Sequence, residues 1–357
     1  MITPPRISDA PLPSPALSAE DLDRLTALFD RGTPENTRRA YERDIVYIAA
    51  WKQAAFGAPL AWPEEERVAL RFVLDHAEDL TEAPAAHEGR RAAEALIEAG
   101  LRRALACPAP ATLDRRIATW RAFHGLRGLP SPFDAPLVRE ARRKARRAAT
   151  AERGRVRRRL SAHPVTRDVL EAVLAPIERD LRGLRDRAIL YFGFASGGRR
   201  LSEIAGLRRD AVSLDRFGDE GIVDLRLFGT KTTAADDTPA LILKGAAAAA
   251  LADWLRLAEI EGGRVFRAVS KSDRPLPRPL SPAGVRHVFK TRLVAAGFPA
   301  DYASPHGLRS GFLTEAARQG VPVQAAMRLS LHRSVAQAMA YYDDAEIDEN
   351  PAAGLLD

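Results

Sequence analysis

Between Arg139 and Arg159 the chain carries 11 basic and 2 acidic side chains, with Gly154 among them. Such a run cannot be packed into a core, because a charge taken out of water without a partner is strongly penalised. A chain of 357 residues is long enough for two cores, and they must therefore lie on either side of this run. The segment is net +9 while the whole chain is net +7, so the remaining residues are net acidic by 2. Concentrated positive charge displaces counterions from a nucleic-acid backbone. The chain also has 48 arginines against 6 lysines, and an arginine-rich composition puts the same pattern on a merely solvated helix face, so charge alone leaves both readings open. The string AERGRVRRRLSAHP has a glycine, mutual charge repulsion and Pro164, all of which disfavour a packed element. The expected organisation is a disordered tail over 1–17, a helical domain over 18–148, a basic linker over 149–163 and a second domain over 164–357.

Five prolines within the first 17 residues predict an extended tail. Ser18 with Asp21 predicts a helix start, and Thr33-Pro34 predicts another, followed by Tyr41, Ile45, Ile48 and Trp51 at helical spacing. Further helices are expected over Pro63–Ala77, Ala85–Leu105 and Pro110–Leu126. In the last of these Leu113, Ile117 and Trp120 form one stripe, with Arg115 and Arg116 off it. Trp120, Phe123 and His124 read as core. A basic helix is expected from Pro136 toward Arg147.

Beyond Thr166 the pattern changes. Helices are expected from Thr166 to Leu174, from Leu184 to Ala195 and around Ser202–Ile204, then strands at Val212–Leu214, Ile222–Phe228 and Ala240–Leu243. Two more helices, Gly245–Ile260 and Ser281–Ala296, precede a stretch in which Ser304 caps, Pro305 takes the first helical position, and new helices start after Pro322 and Ser334. The fold class is mainly α with a small antiparallel β-sheet.

The single Cys107 excludes an internal disulfide framework and a multi-cysteine zinc site, and reads as a small buried residue of a protein from a reducing compartment. The longest apolar run is far too short to span a bilayer, and the N-terminus lacks a charged segment followed by an apolar one, so a cytoplasmic protein without membrane contact is expected.

Within about forty residues the C-terminal stretch brings two imidazoles, His306 and His332, a guanidinium, Arg309, and the phenol of Tyr341. Guanidinium and imidazole donors match non-bridging phosphate oxygens, and a phenol can attack phosphorus, so the set suits a phosphodiester better than a carbonyl. His-x-x-Arg alone is weak evidence: it also occurs at His87 with Arg90 and at His124 with Arg127. Neither HExxH spacing nor a cysteine partner supports zinc at His306 and His332. More telling is the ordered series of GRRLSE at 198–203, TKTT at 230–233, HGLR at 306–309, LSLH at 329–332 and the tyrosine at 341. In order and spacing it resembles the active-site boxes of the tyrosine recombinase (phage integrase) family. Asn36-Thr37-Arg38-Arg39-Ala40-Tyr41 resembles the opening of that family's N-terminal DNA-binding domain.

The resemblance implies a helical SAM-like core-binding domain followed by a catalytic domain of the DNA-breaking-rejoining fold. It implies Tyr341 as nucleophile, nine residues after the second histidine, with Tyr342 as the competing choice. It also implies Arg200 and Arg309 as phosphate clamps, Lys231 as the acid for the leaving 5′ oxygen, His306 as proton acceptor or phosphate donor, His332 as a donor to a non-bridging oxygen, and Glu203 behind Arg200. A free phenol is about one-thousandth ionised at neutral pH, so the site must supply about 4 kcal/mol through a base or nearby cations. Phosphate-contact candidates are Thr37, Arg38, Arg39, Arg115, Arg116, Arg142, Arg143, Arg157 and Arg158. The family's reaction passes through a 3′-phosphotyrosine and implies no metal, cofactor or ATP. The implied partners are double-stranded DNA and other copies of the chain, a dimer per site and a tetramer in synapsis, and an accessory DNA-bending protein is allowed. Members of the family often dock a C-terminal segment on a neighbouring protomer, which Ile347, Leu355 and Leu356 would do here; a frayed acidic end is the alternative reading. A type IB topoisomerase and a DNA-binding protein without catalysis are the competing readings. Two departures from the family pattern stand out: Arg199 where an apolar residue is common, and Ser330-Leu331 where a glycine commonly precedes the histidine.

Overall fold

The computed structural model of the chain describes residues 31–152, 163–226, 240–332 and 334–346, together with Glu20, Arg24, Ala27 and Leu28. It separates into two compact units, Met1–Val156 and Arg157–Asp357. The helix start at Ser18, the linker arginines Arg157 and Arg158, Lys231 with its TKTT turn, and the tail residues Ile347, Leu355 and Leu356 all lie outside the described residues.

The first unit is built from α1 (Glu35–Phe56), α2 (Glu66–Ala77), α3 (Glu88–Glu98), α4 (Pro110–Leu126) and α5 (Pro136–Glu152). Their apolar stripes meet around Trp51, Phe72 and Trp120, whose rings sit edge to face, the arrangement ring quadrupoles favour. Trp120, Phe123 and His124 are core residues as the stripe implied. The helix expected over Ala85–Leu105 stops at Glu98. Gly100 takes a left-handed φ of 69°, the Leu101 and Arg102 amides fold back onto the Leu96 carbonyl, and the Arg102 guanidinium takes the carbonyls of Ala104, Leu105 and Ala106. That is a helix C-cap, which residue periodicity alone does not register. Cys107 is half-buried rather than fully buried, and its thiol donates to the His76 carbonyl.

The second unit begins with α6 (Arg167–Leu174), α7 (Leu181–Ala195) and α8 (Leu201–Gly206). Strands β1 (Val212–Ser213), β2 (Val223–Leu225) and β3 (Leu241–Leu243) form an antiparallel sheet in that order, with Val212 opposite Leu225 and Leu225 opposite Leu241. Val223, Leu225, Leu241 and Leu243 point into the core and the residues between them point out, the period of two of a strand with one buried face. α9 (Gly245–Leu257) packs on α7 over this core.

A hairpin the sequence pattern does not reveal follows, β4 (Arg267–Val269) with β5 (Pro275–Pro279). All five β5 residues are exposed, so the strand has no apolar alternation to betray it, and its prolines suit only an edge. α10 (Pro282–Ala295), α11 (His306–Arg318), α12 (Val323–Ser330) and α13 (Val335–Glu346) complete the unit. α11 starts one residue later than the sequence suggests. Pro305 is its N-cap, while the Ser304 hydroxyl still accepts from the His306 amide at 3.3 Å. Likewise Thr166 precedes α6 but its hydroxyl donates to Asp168 instead of capping. The fold class is mainly α with small antiparallel sheets.

Candidate active site

Three segments far apart in sequence converge in the second unit. The first is the turn after α7, where Gly197 and Gly198 both hold left-handed φ values, 97° and 73°. A Cβ on Gly197 would lie 2.4 Å from the Leu329 carbonyl, and one on Gly198 would lie 2.2 Å from the Arg309 Cα. Only residues lacking a side chain let this turn touch α11 and α12 at once. Immediately afterwards Arg200 leads into α8. Glu203 accepts from its guanidinium at 2.7 Å and from its backbone N–H at 3.3 Å, which fixes the direction of a side chain that is still partly open to solvent.

The second segment is the first turn of α11. It is seated on the chain before α6, where the Val165 amide donates to the Gly307 carbonyl at 2.9 Å. Gly311 has no room for a Cβ against Val165. Arg309 is only 5 % exposed. It donates to the Gly198 carbonyl at 3.2 Å and from Nε to His332 Nε2 at 3.1 Å. The third segment is the exit of α12, where Leu331 adopts a left-handed φ of 54° and turns the chain so that His332 faces Arg309. Ser330 Oγ lies 2.7 Å from His332 Nδ1. With Nε2 accepting from arginine, the ring hydrogen belongs on Nδ1 and is donated to Ser330, so His332 is neutral here. In this state it is an acceptor, whereas the sequence reading gave it a donor's part. Burial, followed by the charges of Arg309 and Arg200, drives its pKa down to about 3.

Tyr341 lies on α13 with its hydroxyl 3.2 Å from His306 Nε2. Burial, then Arg309 and Arg200, lower the His306 pKa below its ordinary value, which keeps the ring neutral and able to take a phenolic proton. Neighbouring residues on a helix point about 100° apart, and Tyr342 accordingly turns the other way. It is 5 % exposed, packs with Leu313, Ala316 and Ala326, and donates to the Val321 carbonyl at 2.9 Å. Burial also lowers Arg309 to about 10, which leaves it charged at neutral pH. The result is a half-open cluster of guanidinium groups with two neutral imidazoles and one phenol at its edge, suited to an oxyanion carried on a tetrahedral or trigonal-bipyramidal centre.

Six of the expected residues therefore stand together: Arg200, Glu203, His306, Arg309, His332 and Tyr341. Ser330 stood out in the sequence only as a departure from the family pattern and was given no role, and the Gly197-Gly198 pair was given none either, although two glycines before the first arginine are a legible signal. Among the described residues no group of three or more His, Cys, Asp or Glu side chains could hold a metal ion.

The described phosphate-contact candidates, Thr37, Arg38, Arg39, Arg115, Arg116, Arg142 and Arg143, belong to the first unit. Arg39 is exposed and pairs with Glu35 at 2.5 Å. Arg38 and Thr37 share its helix, α1. Arg143 is exposed and pairs with Glu140, and Arg142 pairs with Asp114. Arg115 holds the buried Asp44. Arg116 differs from the rest: it is turned inward with its guanidinium carbon 3.3 Å from the centre of the Tyr47 ring, and its Nε is buried without an acceptor among the described residues.

Residues 164–347, more than half of the chain, match the model of the phage integrase family. The chain belongs to that family. A relative from Selenomonas ruminantium described as an integrase/recombinase XerD homologue is 28 % identical over 256 residues, covering 69 % of this chain and 72 % of its own. The tyrosine recombinase XerD of Xanthomonas campestris pv. campestris is 27 % identical over 346 residues, covering 92 % and 89 %. Among solved structures, the Tn1549 transposon integrase in complex with circular intermediate DNA aligns over 92 % of this chain and 96 % of its own, with 14 % identity and a TM-score of 0.56. The XerH site-specific recombinase bound to its difH substrate aligns over 96 % and 85 %, with 15 % identity and a TM-score of 0.53. At these identities the structural likeness is one of fold. Together, family and relatives make this chain a site-specific tyrosine recombinase.

Proposed function

We propose that the chain cuts and rejoins double-stranded DNA through a 3′-phosphotyrosine on Tyr341. The observation that carries this reading is the 3.2 Å approach of the Tyr341 hydroxyl to His306 Nε2, beside the buried Arg309 and His332. His306 takes the phenolic proton as the oxygen attacks phosphorus. A bond forms between Tyr341 and phosphorus, the bond to the 5′ oxygen breaks, and that oxygen takes a proton from Lys231, an assignment that rests on the family motif. Arg200 and Arg309 hold the non-bridging oxygens through the trigonal-bipyramidal state; removing one such donor typically costs about 2.7–4 kcal/mol in the barrier. His332 joins them once the negative charge of the bound phosphate lets Nε2 take up a proton from solvent, in place of its bond from Arg309, and donate it to a non-bridging oxygen. A 5′ hydroxyl from a partner duplex then attacks the phosphotyrosine, and because the linkage conserves bond energy no nucleotide hydrolysis is needed.

Two protomers occupy each site and four meet in synapsis. Arg38 and Arg39 of α1, Arg115 of α4, and Arg142 and Arg143 of α5 supply sequence-independent backbone contacts, whereas the inward-turned Arg116 does not. The protein works in the cytoplasm on chromosomal or mobile DNA; among the described residues no helix is long and apolar enough to cross a membrane. Neither rejoining of the same strand, as in a type IB topoisomerase, nor DNA binding without catalysis is favoured. The relatives are recombinases, and every described position of the catalytic set is filled.

The test is to incubate the full chain with nicked suicide DNA, trap covalent protein and map the attached residue. The native chain and Tyr342→Phe are expected to form adduct and Tyr341→Phe none. Adduct that survives Tyr341→Phe but is lost in Tyr342→Phe would move the nucleophile by one residue.

A further inference from the structure

Arg199 has no part in the chemistry just described, yet it is among the most deeply buried charged residues of the second unit, at 2 % exposure. One guanidinium amino group donates to the Leu329 carbonyl. Another lies 3.7 Å from Glu203 Oε2, and Nε is buried without an acceptor among the described residues. Burial lowers its pKa to about 10, so it remains charged at neutral pH. A buried cation with one N–H orphaned is a poor way to stabilise a core, and an apolar side chain of similar volume is commonly neutral or better. The charge therefore calls for an explanation other than stability.

Its contacts supply one. Leu329 is the penultimate residue of α12, whose last carbonyls form the negative end of the helix. Two residues further on the chain turns through the left-handed Leu331 and delivers His332 to Arg309. At its other end Arg199 shares Glu203 with Arg200. The side chain thus bridges the loop that aims one phosphate-binding arginine and the turn that aims a histidine, and it lies behind both. It is also a fixed positive charge close enough to act on His332 and Arg309.

We propose that Arg199 is a positioning residue for strand cleavage: it ties the His332 turn to the Arg200 loop and adds a third permanent cation behind the scissile phosphate. This rests on the recombinase reading above. It concerns a position at which the family pattern commonly carries an apolar side chain.

The experiment compares native protein, Arg199→Met and Arg199→Lys as full chains, with three readouts: covalent adduct formation at saturating suicide DNA, affinity for the intact site, and the NMR titration of the His332 ring in DNA-free protein. Arg199→Met is expected to slow cleavage at least about tenfold while site affinity changes by less than about twofold, as for residues that act by orienting others. Its His332 midpoint is expected to rise slightly, because the weakest of the positive neighbours that lower it is gone while burial, Arg309 and Arg200 still hold it down. Arg199→Lys keeps the charge, so the His332 midpoint should stay near native. Cleavage should remain slow, because an ammonium cannot span Leu329 and Glu203 as a planar fork does. Native cleavage by Arg199→Met, or an unmoved His332 midpoint in that variant, overturns the proposal. If Arg199→Met does not fold, native cleavage by Arg199→Lys overturns the tying role. If native protein forms no adduct, the recombinase reading fails, and the titration still decides whether Arg199 sets the state of His332.

Discussion

Replacing Gly198 by alanine should separate the two arginine boxes with a single methyl group. Two terms contribute. The residue sits at φ 73°, where a Cβ costs about 1–2 kcal/mol. The new Cβ would also lie 2.2 Å from Arg309 Cα, 2.8 Å from its Cβ and 3.0 Å from its N, whereas carbon atoms rest at about 3.5–4.0 Å. The α7 turn and α11 must therefore part by more than about 1 Å, and overpacking of this kind costs about 1–3 kcal/mol. The second unit is thus expected to lose about 2–5 kcal/mol in total. The same displacement stretches the bond from Arg309 to the Gly198 carbonyl, 3.2 Å in the native fold, and moves the guanidinium off the phosphate. A misplacement of about 1 Å can cost about a hundredfold in rate. The assay pairs urea unfolding followed at Trp254 with adduct formation on suicide DNA. Gly221→Ala is the control, since it has φ 66° but open space around its Cβ and should show the backbone term alone. Gly198→Ala that loses no more stability than Gly221→Ala and cleaves at the native rate would refute the reasoning.

Leu331→Gly should relieve the left-handed turn ahead of His332, where φ is 54°. After glycine's larger unfolded-state entropy is subtracted, the gain should be about 0–1 kcal/mol, read by urea unfolding; a loss above that range would mean the leucine side chain outweighs the strain. His76 is 1 % exposed, stands 2.7 Å from the Phe72 carbonyl and 2.8 Å from the Tyr47 hydroxyl, and burial drives its pKa to about 3. Because the unfolded chain takes up this proton near pH 6.5 and the fold does not, stability falls as pH drops below 6.5 and levels off only below about 3. By pH 5 the first unit should have lost about 2 kcal/mol relative to pH 7. His76→Gln should reduce that slope in its urea transition, leaving the part due to His124, whose pKa burial also lowers, and equal slopes in the two proteins would exclude His76 as a cause. Arg39→Ala and Arg143→Ala should each weaken DNA binding alike for all sequences and reduce the log–log salt slope by about 0.9; an unchanged slope removes that arginine from the phosphate contacts.

The sequence by itself determined what is local. Apolar spacing of 3.6 located α1 and α4, because a helix buries one stripe whatever it packs against. Asp-rich and Thr-rich turns set off the segments that became β1 to β3, and the ordered boxes picked out the candidate side chains that the fold brings together. It could not show β5, which has no buried face, or the early end of α3, which depends on Gly100 and on Arg102 reaching backbone carbonyls.

The site itself is a different matter. Gly198 and Arg309 meet across 111 positions of chain, and no periodicity encodes such a meeting. Only packing of α7, α11, α12 and α13 decided that Tyr341 faces His306 while Tyr342 enters the core. The same packing made His332 a neutral acceptor, and it turned Arg199 from a bystander beside Arg200 into a buried cation behind the site. The physical reason is that residue type sets what a group can do, whereas its charge state and direction depend on the dielectric, the neighbours and the steric fit that distant segments impose.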